Sequence, residues 1–311
     1  MPGIHHVTAI SGNASRNLDF YTRVLGLRLV KRTVNFDDPG TWHLYYGDRP
    51  GTPGTILTFF PWEHAAPGRN GLSLTHETAF RIPSEAIGFW THRFVDKGVK
   101  HETPVKRFGE TVLSFTDPDG MRLALVGSDA TGEADVWATG EIGADEAIRG
   151  FFGVTLLLEE SEPTGAVLTG VLGFRETDRE ANLTRYTADA VAGGHVDIHA
   201  AGGFLSGRMG RGSVHHVAFR ASSDEAQAEM ALKLSGGLRI STTEQLDRQY
   251  FRSVYFREPG GVIFEIATDD PGFAVDEPDE ALGTALKLPP FLEGRRAEIE
   301  AKLPPLEEEA A

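Results

Sequence analysis

Two histidine pairs and one isolated carboxylate are the residues of this chain best suited to chemistry. His5-His6 opens the segment IHHVTAI (4–10), His215-His216 opens SVHHVAFR (213–220), and Glu265 interrupts the apolar run GGVIFEIA. Each histidine pair is followed by valine. Neighbouring side chains on a strand point to opposite faces, so one histidine of each pair is expected to enter a given cavity. Val7 and Ala9, like Val217 and Phe219, form the apolar set that suits a helix-covered face. His6 and His216 fall in the other set, with Thr8 and Ala218, and are assigned inward. A β-bulge would reverse that parity. Glu265 stands between Phe264 and Ile266, and a carboxylate so placed is costly to bury unless it is paired or bound to a metal. Two imidazoles and one carboxylate make a facial triad for a divalent metal, with coordination positions left open.

The elements that must position these groups recur four times, each as a short strand, an amphipathic helix and three strands. The first unit runs from residues 4–10 through NLDFYTRVLGLRLVKRTV and WHLYYGD to GTILTFF (54–60). Leu18, Tyr21, Val24 and Leu25 share a helical face there, and Gly26 supplies the stop. The second begins near LTHETAFRI (74–82), has its helix around SEAIGFWTHRFVDKG, and closes with ETVLSFTDPDGMRLALVG, in which PDG is a turn. The third begins at FFGVTLLL (151–158), carries TGAVLTGVLGF and ends at HVDIHA. The fourth begins at 213–220, carries DEAQAEMALKLSGG and closes with FRSVYFREPGGVIFEIA, with PGG as its hairpin turn. The expected architecture is α+β: four β-α-β-β-β modules forming two half-barrel domains, residues 1–128 and 149–268. An acidic linker, 129–148, separates them. A Pro-rich tail, 269–311, ends in a short helix and reads as a packed or partly frayed appendage.

The repeat supplies an internal comparison. Thr58 falls where Glu265 lies in the fourth unit; Glu77 and Ala124 take the ligand positions in the second, and Gly153 and about Ile198 those in the third. Only the first and fourth units can then supply the site, so they are expected to share one cavity, with His6 and Glu265 meeting in space. The remaining histidines, His43, His64, His76, His92, His101, His195 and His199, read as structural.

Composition narrows the function classes. A chain of 311 residues that is 40% hydrophobic suits a globular protein with a substantial core. With no cysteine, disulfides, thiolate zinc sites and iron–sulfur clusters are excluded. A net charge of −15 with scattered basic residues argues against nucleic acid as a partner. The start MPGIHHVTAI lacks a charged segment followed by an apolar one, and no 18 consecutive apolar residues occur. The expectation is a cytoplasmic protein without a membrane partner.

Together, IHHVT, HLYY, GTPGT, VHHVAF, PGGVIFE and EGRRAEIE resemble the vicinal oxygen chelate superfamily, and within it the ring-cleaving dioxygenases of hydroquinones. The resemblance implies Fe(II) held by His6, His216 and Glu265, with Mn(II) or Zn(II) as substitutes. It also implies a small aromatic diol and O2 as reactants. Further, it places His5, Thr8, His215, Arg248 and Tyr255 around the metal, His215 or Tyr255 to move protons and Arg248 to stabilise a developing anion. Residues 182–212 do not match clearly, so ring substituents stay unassigned. Three other readings compete. A glyoxalase-type lyase would want a fourth protein ligand, which Thr58 cannot be expected to supply. A metal-free binding module of the bleomycin-resistance kind has no use for the triad. An extradiol catechol dioxygenase uses the same triad on ortho-diols. Assembly into a homo-oligomer is left open.

Overall fold

Each of the four units closes as a β-α-β-β-β module in the computed structural model, which describes residues 2–129 and 135–306. Residues 130–134 of the expected linker and 307–311 of the expected tail lie outside the described residues. Unit 1 contains β1 (Ile4–Ser11), α1 (Ala14–Asp19), β2 (Arg28–Asn35), β3 (Asp38–Gly47) and β4 (Ile56–Pro61). The Asn13 side chain accepts from the Arg16 amide and caps α1. Leu18, Tyr21 and Leu25 are buried. Gly26 ends the helical stretch with φ +69, and a Cβ there would stand 2.5 Å from Ile142 Cδ1, so both backbone and packing require glycine.

Unit 2 contains β5 (Leu74–Ile82), α2 (Ile87–Asp96), β6 (Val105–Arg107), β7 (Glu110–Thr116) and β8 (Arg122–Gly127). Unit 3 contains β9 (Phe151–Leu158), α3 (Glu162–Gly170), β10 (Arg175–Glu180), β11 (Leu183–Thr187) and β12 (His195–Ala200). Unit 4 contains β13 (Ser213–Ala221), α4 (Asp224–Leu232), β14 (Leu246–Asp247), β15 (Arg252–Arg257) and β16 (Ile263–Thr268). The PDG and PGG segments turn as expected: the Gly120 amide donates to Asp117 O and the Gly261 amide to Glu258 O.

Two eight-stranded sheets result, ordered β14-β15-β16-β13-β1-β4-β3-β2 and β10-β11-β12-β9-β5-β8-β7-β6. The antiparallel pairing of β1 with β13 joins units 1 and 4, and that of β5 with β9 joins units 2 and 3. Each sheet therefore draws strands from both sides of residues 129–148. Val7, Val217, Phe219, Phe264 and Ile266 lie in the main apolar core, so the opposite set on these strands faces the cavity.

The segments outside the units are packed. Trp90 Nε1 on α2 donates to Glu146 O, and Ile142 and Ile148 are buried. In the tail, α5 (Pro290–Glu293) and α6 (Arg296–Lys302) place Leu292 and Ile299 against Val34. Lys31 of β2 is fully buried and reaches Asp276 and Glu277 of the tail at 2.5 Å each. Among the described residues no helix is long and apolar enough to cross a membrane.

Candidate metal centre

The ladder between β1 and β13 slips twice. Pairing moves from Ile4↔Phe219 to His6↔Ala218 at one end, and from Thr8↔His216 to Ala9↔Val214 at the other. His5 and His215 are the skipped residues, so each histidine pair begins on a β-bulge, a device that re-aims side chains. The expectation that only one histidine of each pair enters the cavity fits the first pair, where His6 lines it and His5 does not, and needs correction for the second, where His215 lines it beside His216. His5 Nδ1 lies 2.9 Å from His6 Nδ1, and His215 Nδ1 lies 2.8 Å from His216 Nδ1. The first imidazole of each pair backs the second. Parity holds for His6 and His216 themselves, because they remain in the set with Thr8 and Ala218.

Three donor atoms converge in front of these pairs. His6 Nε2 and His216 Nε2 are 3.4 Å apart, and Glu265 Oε2 lies 3.3 Å from the first and 2.9 Å from the second. His6, His216 and Glu265 are all buried, Glu265 completely. Burial pushes the Glu265 carboxyl up, but the two imidazoles outweigh it and hold the group well below the usual carboxylate range. Ser253 Oγ donates to Oε1 at 2.5 Å, whereas Oε2 has no hydrogen bond of acceptable geometry.

This donor set fits a divalent cation. A metal about 2.1 Å from each donor, at angles of roughly 90–109°, sets donor separations of about 3.0–3.4 Å, matching the separations found. Nε2 lone pairs given to a metal leave each ligand's proton on Nδ1, where it donates to the bulge histidine behind it. Among the described residues, His6, His216 and Glu265 are the one group of three able to hold a metal.

A cavity of about 340 Å³ opens beside the triad and is lined by Thr8, His43, Phe60, Trp62, His215, Arg248, Phe251 and Tyr255, among others. The Tyr255 phenol is raised above its ordinary value, first by burial and then by Glu265. The Arg248 guanidinium lies 5.6 Å from the Tyr255 ring and pairs with Asp37 at 3.1 Å. Burial, reinforced by His216, lowers the His215 imidazole to about 4. Thr8 Oγ1 is 2.9 Å from Thr58 Oγ1. Of the residues placed around the metal by resemblance, Thr8, His215, Arg248 and Tyr255 line the cavity, and His5 stands behind His6.

Sequence reasoning missed several site residues, Phe60 and Trp62 of the cavity wall among them. Ser253 holds the carboxylate, His43 lines the cavity, and Phe251 packs 4.8 Å from the His6 ring. A signal existed for Ser253, which is two residues before Tyr255 and shares its face.

The second sheet shows what replaces the triad. Ala79 pairs with Ala124, and Thr155 with Asp197, so the counterpart of Glu265 in unit 3 is Asp197, not Ile198. Ile198 is fully buried in the apolar core. Here Arg185 grips Asp197 through two 2.8 Å contacts, while Glu77 accepts from Arg107 at 2.7 Å and Ser114 at 2.9 Å. Guanidinium groups supply the positive charge that these buried acids need.

Comparison with known proteins agrees with this architecture. Residues 3–125 match the family model of the Glyoxalase/Bleomycin resistance protein/Dioxygenase superfamily. The chain is 44% identical over 305 residues to "Putative ring-cleaving dioxygenase MhqO" of Bacillus subtilis (strain 168), covering 98% of this chain and 96% of that one. It is 31% identical over 305 residues to "Chlorohydroquinone/hydroquinone 1,2-dioxygenase" of Sphingobium indicum, covering 96% and 94%. A crystal structure of a "putative dioxygenase" from Bacillus subtilis subsp. subtilis str. 168 superposes with a TM-score of 0.94 at 44% identity over 98% of both chains. Glyoxalase I of Zea mays shares the fold at a TM-score of 0.65 and 15% identity, over 86% of this chain and 93% of its own. Identity of 31–44% over nearly the full length to proteins with these names, on a scaffold of paired β-α-β-β-β modules, makes this chain a member of the glyoxalase/bleomycin resistance protein/dioxygenase superfamily, among its ring-cleaving dioxygenases.

Proposed function

We propose that the protein is an Fe(II)-dependent dioxygenase that opens the ring of a hydroquinone-type diol. The observation that carries this reading is the convergence of His6 Nε2, His216 Nε2 and Glu265 Oε2 beside a cavity of about 340 Å³. That volume is near the small end of ligand pockets, about 300–1,000 Å³, and suits a single ring. The names of the relatives supply the reaction class.

A redox-active divalent metal on the triad would supply Lewis acidity toward one hydroxyl and an electron path between diol and O2. The two hydroxyls of a hydroquinone are para, so only one reaches the triad. In the overall reaction the bond between a hydroxyl-bearing carbon and its neighbour breaks, and both atoms of O2 stay in the product.

The protein's own residues orient and neutralise. Tyr255 keeps its phenolic proton at neutral pH and acts as a donor to a substrate oxygen. Arg248, held by Asp37, places positive charge where the substrate becomes anionic. His215 is neutral near pH 7. Its Nδ1 faces His216, so its Nε2–H is the donor left for the cavity. Phe60, Trp62 and Phe251 supply apolar walls for the ring.

Oxygen uptake by anaerobically reconstituted Fe(II) protein, across a panel of hydroquinones and catechols, tests the proposal. One O2 consumed per hydroquinone, with loss of aromatic absorbance, is the expected result. Uptake with catechols alone would favour the extradiol reading. Zn(II) or Ni(II) in the purified protein with methylglyoxal–thiol activity would favour the lyase, and failure to bind any divalent ion would favour the binding module.

A further inference from the structure

Unit 1 holds the counterpart of the Glu265 position, and a second polar chain occupies it. Thr58 pairs with Thr8 between β4 and β1 as Glu265 pairs with Ala218 between β16 and β13. Tyr45 faces Thr58 as Tyr255 faces Glu265. Two residues before each tyrosine, His43 stands where Ser253 stands. In unit 4 the serine steadies a ligand carboxylate. In unit 1, His43 Nε2 lies 2.8 Å from Thr58 Oγ1, Thr58 Oγ1 lies 2.9 Å from Thr8 Oγ1, and the Tyr45 hydroxyl lies 3.0 Å from His43 Nδ1.

Counting donors gives this chain a direction. Tyr45 is buried, burial raises its phenol well above the ordinary value, and the hydroxyl therefore keeps its proton. His43 Nδ1 is the acceptor within reach, and a buried O–H without one is costly. Burial holds the His43 imidazole well below its ordinary value, with His6 and His216 acting the same way, so the ring is neutral. A neutral ring that accepts at Nδ1 carries its hydrogen on Nε2. That hydrogen goes to Thr58, the Thr58 hydrogen goes to Thr8, and the Thr8 hydrogen is left for the cavity Thr8 lines. Contacts of the His43 ring with Tyr45 and Phe60, at 4.1 and 4.4 Å between centroids, hold the imidazole in place.

We propose that His43 is a positioning residue: through Thr58 it turns the Thr8 hydroxyl into an oriented hydrogen-bond donor toward an anionic substrate oxygen in the metal cavity. The inference rests on the ring-cleaving reading, in which a substrate hydroxyl loses its proton beside the triad. With the chain reversed, Thr8 would present a lone pair to that oxygen and repel it.

Long-range 15N–1H correlation on the Zn(II)-loaded protein reads the tautomer directly. An Nε2–H tautomer for His43 is expected, with the preference weakened in Tyr45→Phe; an Nδ1–H tautomer in the wild type overturns the proposal. His43→Phe keeps a ring between Tyr45 and Phe60 but no hydrogen bond. Loss of one preorganised donor costs about 100–1,000-fold in kcat, and misdirecting one is expected to lower kcat by less than that, with metal stoichiometry little changed. His43→Gln can accept from Tyr45 and donate to Thr58, and is expected to recover most of that loss. Affinity of the Zn(II) protein for 4-nitrophenolate should follow the same order. Wild-type kcat and phenolate affinity in H43F, or H43Q no better than H43F, would overturn the inference. If the Fe(II) protein consumes no O2 with any diol, the ring-cleaving reading fails, while the tautomer and the phenolate titration still decide the role of His43.

Discussion

Ser253→Ala should weaken metal binding without touching a ligand. Ser253 Oγ donates to Glu265 Oε1 at 2.5 Å, both residues are fully buried, and the contact leaves Oε2 aimed at the two imidazoles. A hydrogen bond to a charged group contributes about 1.5–3 kcal/mol. Removing a group that orients a metal ligand typically costs about 10–100-fold in affinity, or about 1.4–2.8 kcal/mol, so the two estimates agree. Equilibrium competition for Fe(II) against a chromophoric chelator, under anaerobic conditions, measures the change. Melting with and without metal gives a second readout, because a tenfold weaker Kd removes about 1.4 kcal/mol of metal-linked stabilisation at saturating metal. Thr58→Val, which removes the counterpart hydroxyl in unit 1, should leave the metal Kd unchanged. A Kd for S253A within twofold of wild type would refute the reasoning and mean that the strand alone orients Glu265.

Replacing the Glu265 carboxylate by the neutral amide of Gln should abolish stoichiometric metal binding, whereas Glu77→Gln in the second sheet should leave one metal per chain by elemental analysis. Lys31→Met strands Asp276 and Glu277 in the tail contact, and breaking a buried pair costs about 3–5 kcal/mol, readable by urea denaturation. Two groups oppose each other in acid. Burial raises Asp117 to about 6, above about 3.9 in an unfolded chain, so its contribution to stability falls as pH rises from about 4 to 6. Burial, helped by Arg122, lowers His76 to about 4, below about 6.5 unfolded, so its contribution is lost as pH falls through about 6.5 to 4. Asp117→Asn removes the compensating member, and urea midpoints between pH 6 and 4 should fall more steeply than in wild type.

Much of the centre was legible in one dimension because strand parity is a local rule. His6 and His216 share a face with small or polar residues while their apolar neighbours take the other face. Glu265 stands alone between Phe264 and Ile266. The four-fold recurrence, with Gly26, PDG and PGG as its punctuation, was legible for the same reason: helix stops and hairpin turns are set by the dihedral preferences of a few residues.

What the tertiary structure decided are relations between strands distant in sequence. Bulges at His5 and His215 come from the slip of β1 against β13, which neither strand encodes alone. Matching slips skip His76 and Phe152 in the second sheet, and the regular ladder of β12 with β9 sets Asp197 opposite Thr155, one residue before the Ile198 that the repeat pattern indicates. Ser253 and His43 became site residues only when cross-strand register set them beside Glu265 and Thr58. Lys31 looks like a surface charge on a strand until the tail, more than 240 residues on, buries it against Asp276 and Glu277. The sequence by itself determined which residue types alternate on each strand and where strands and helices stop. Only the folded chain decided which strands meet and in what register, because those pairings close long loops whose entropy is offset by burial across the whole sheet.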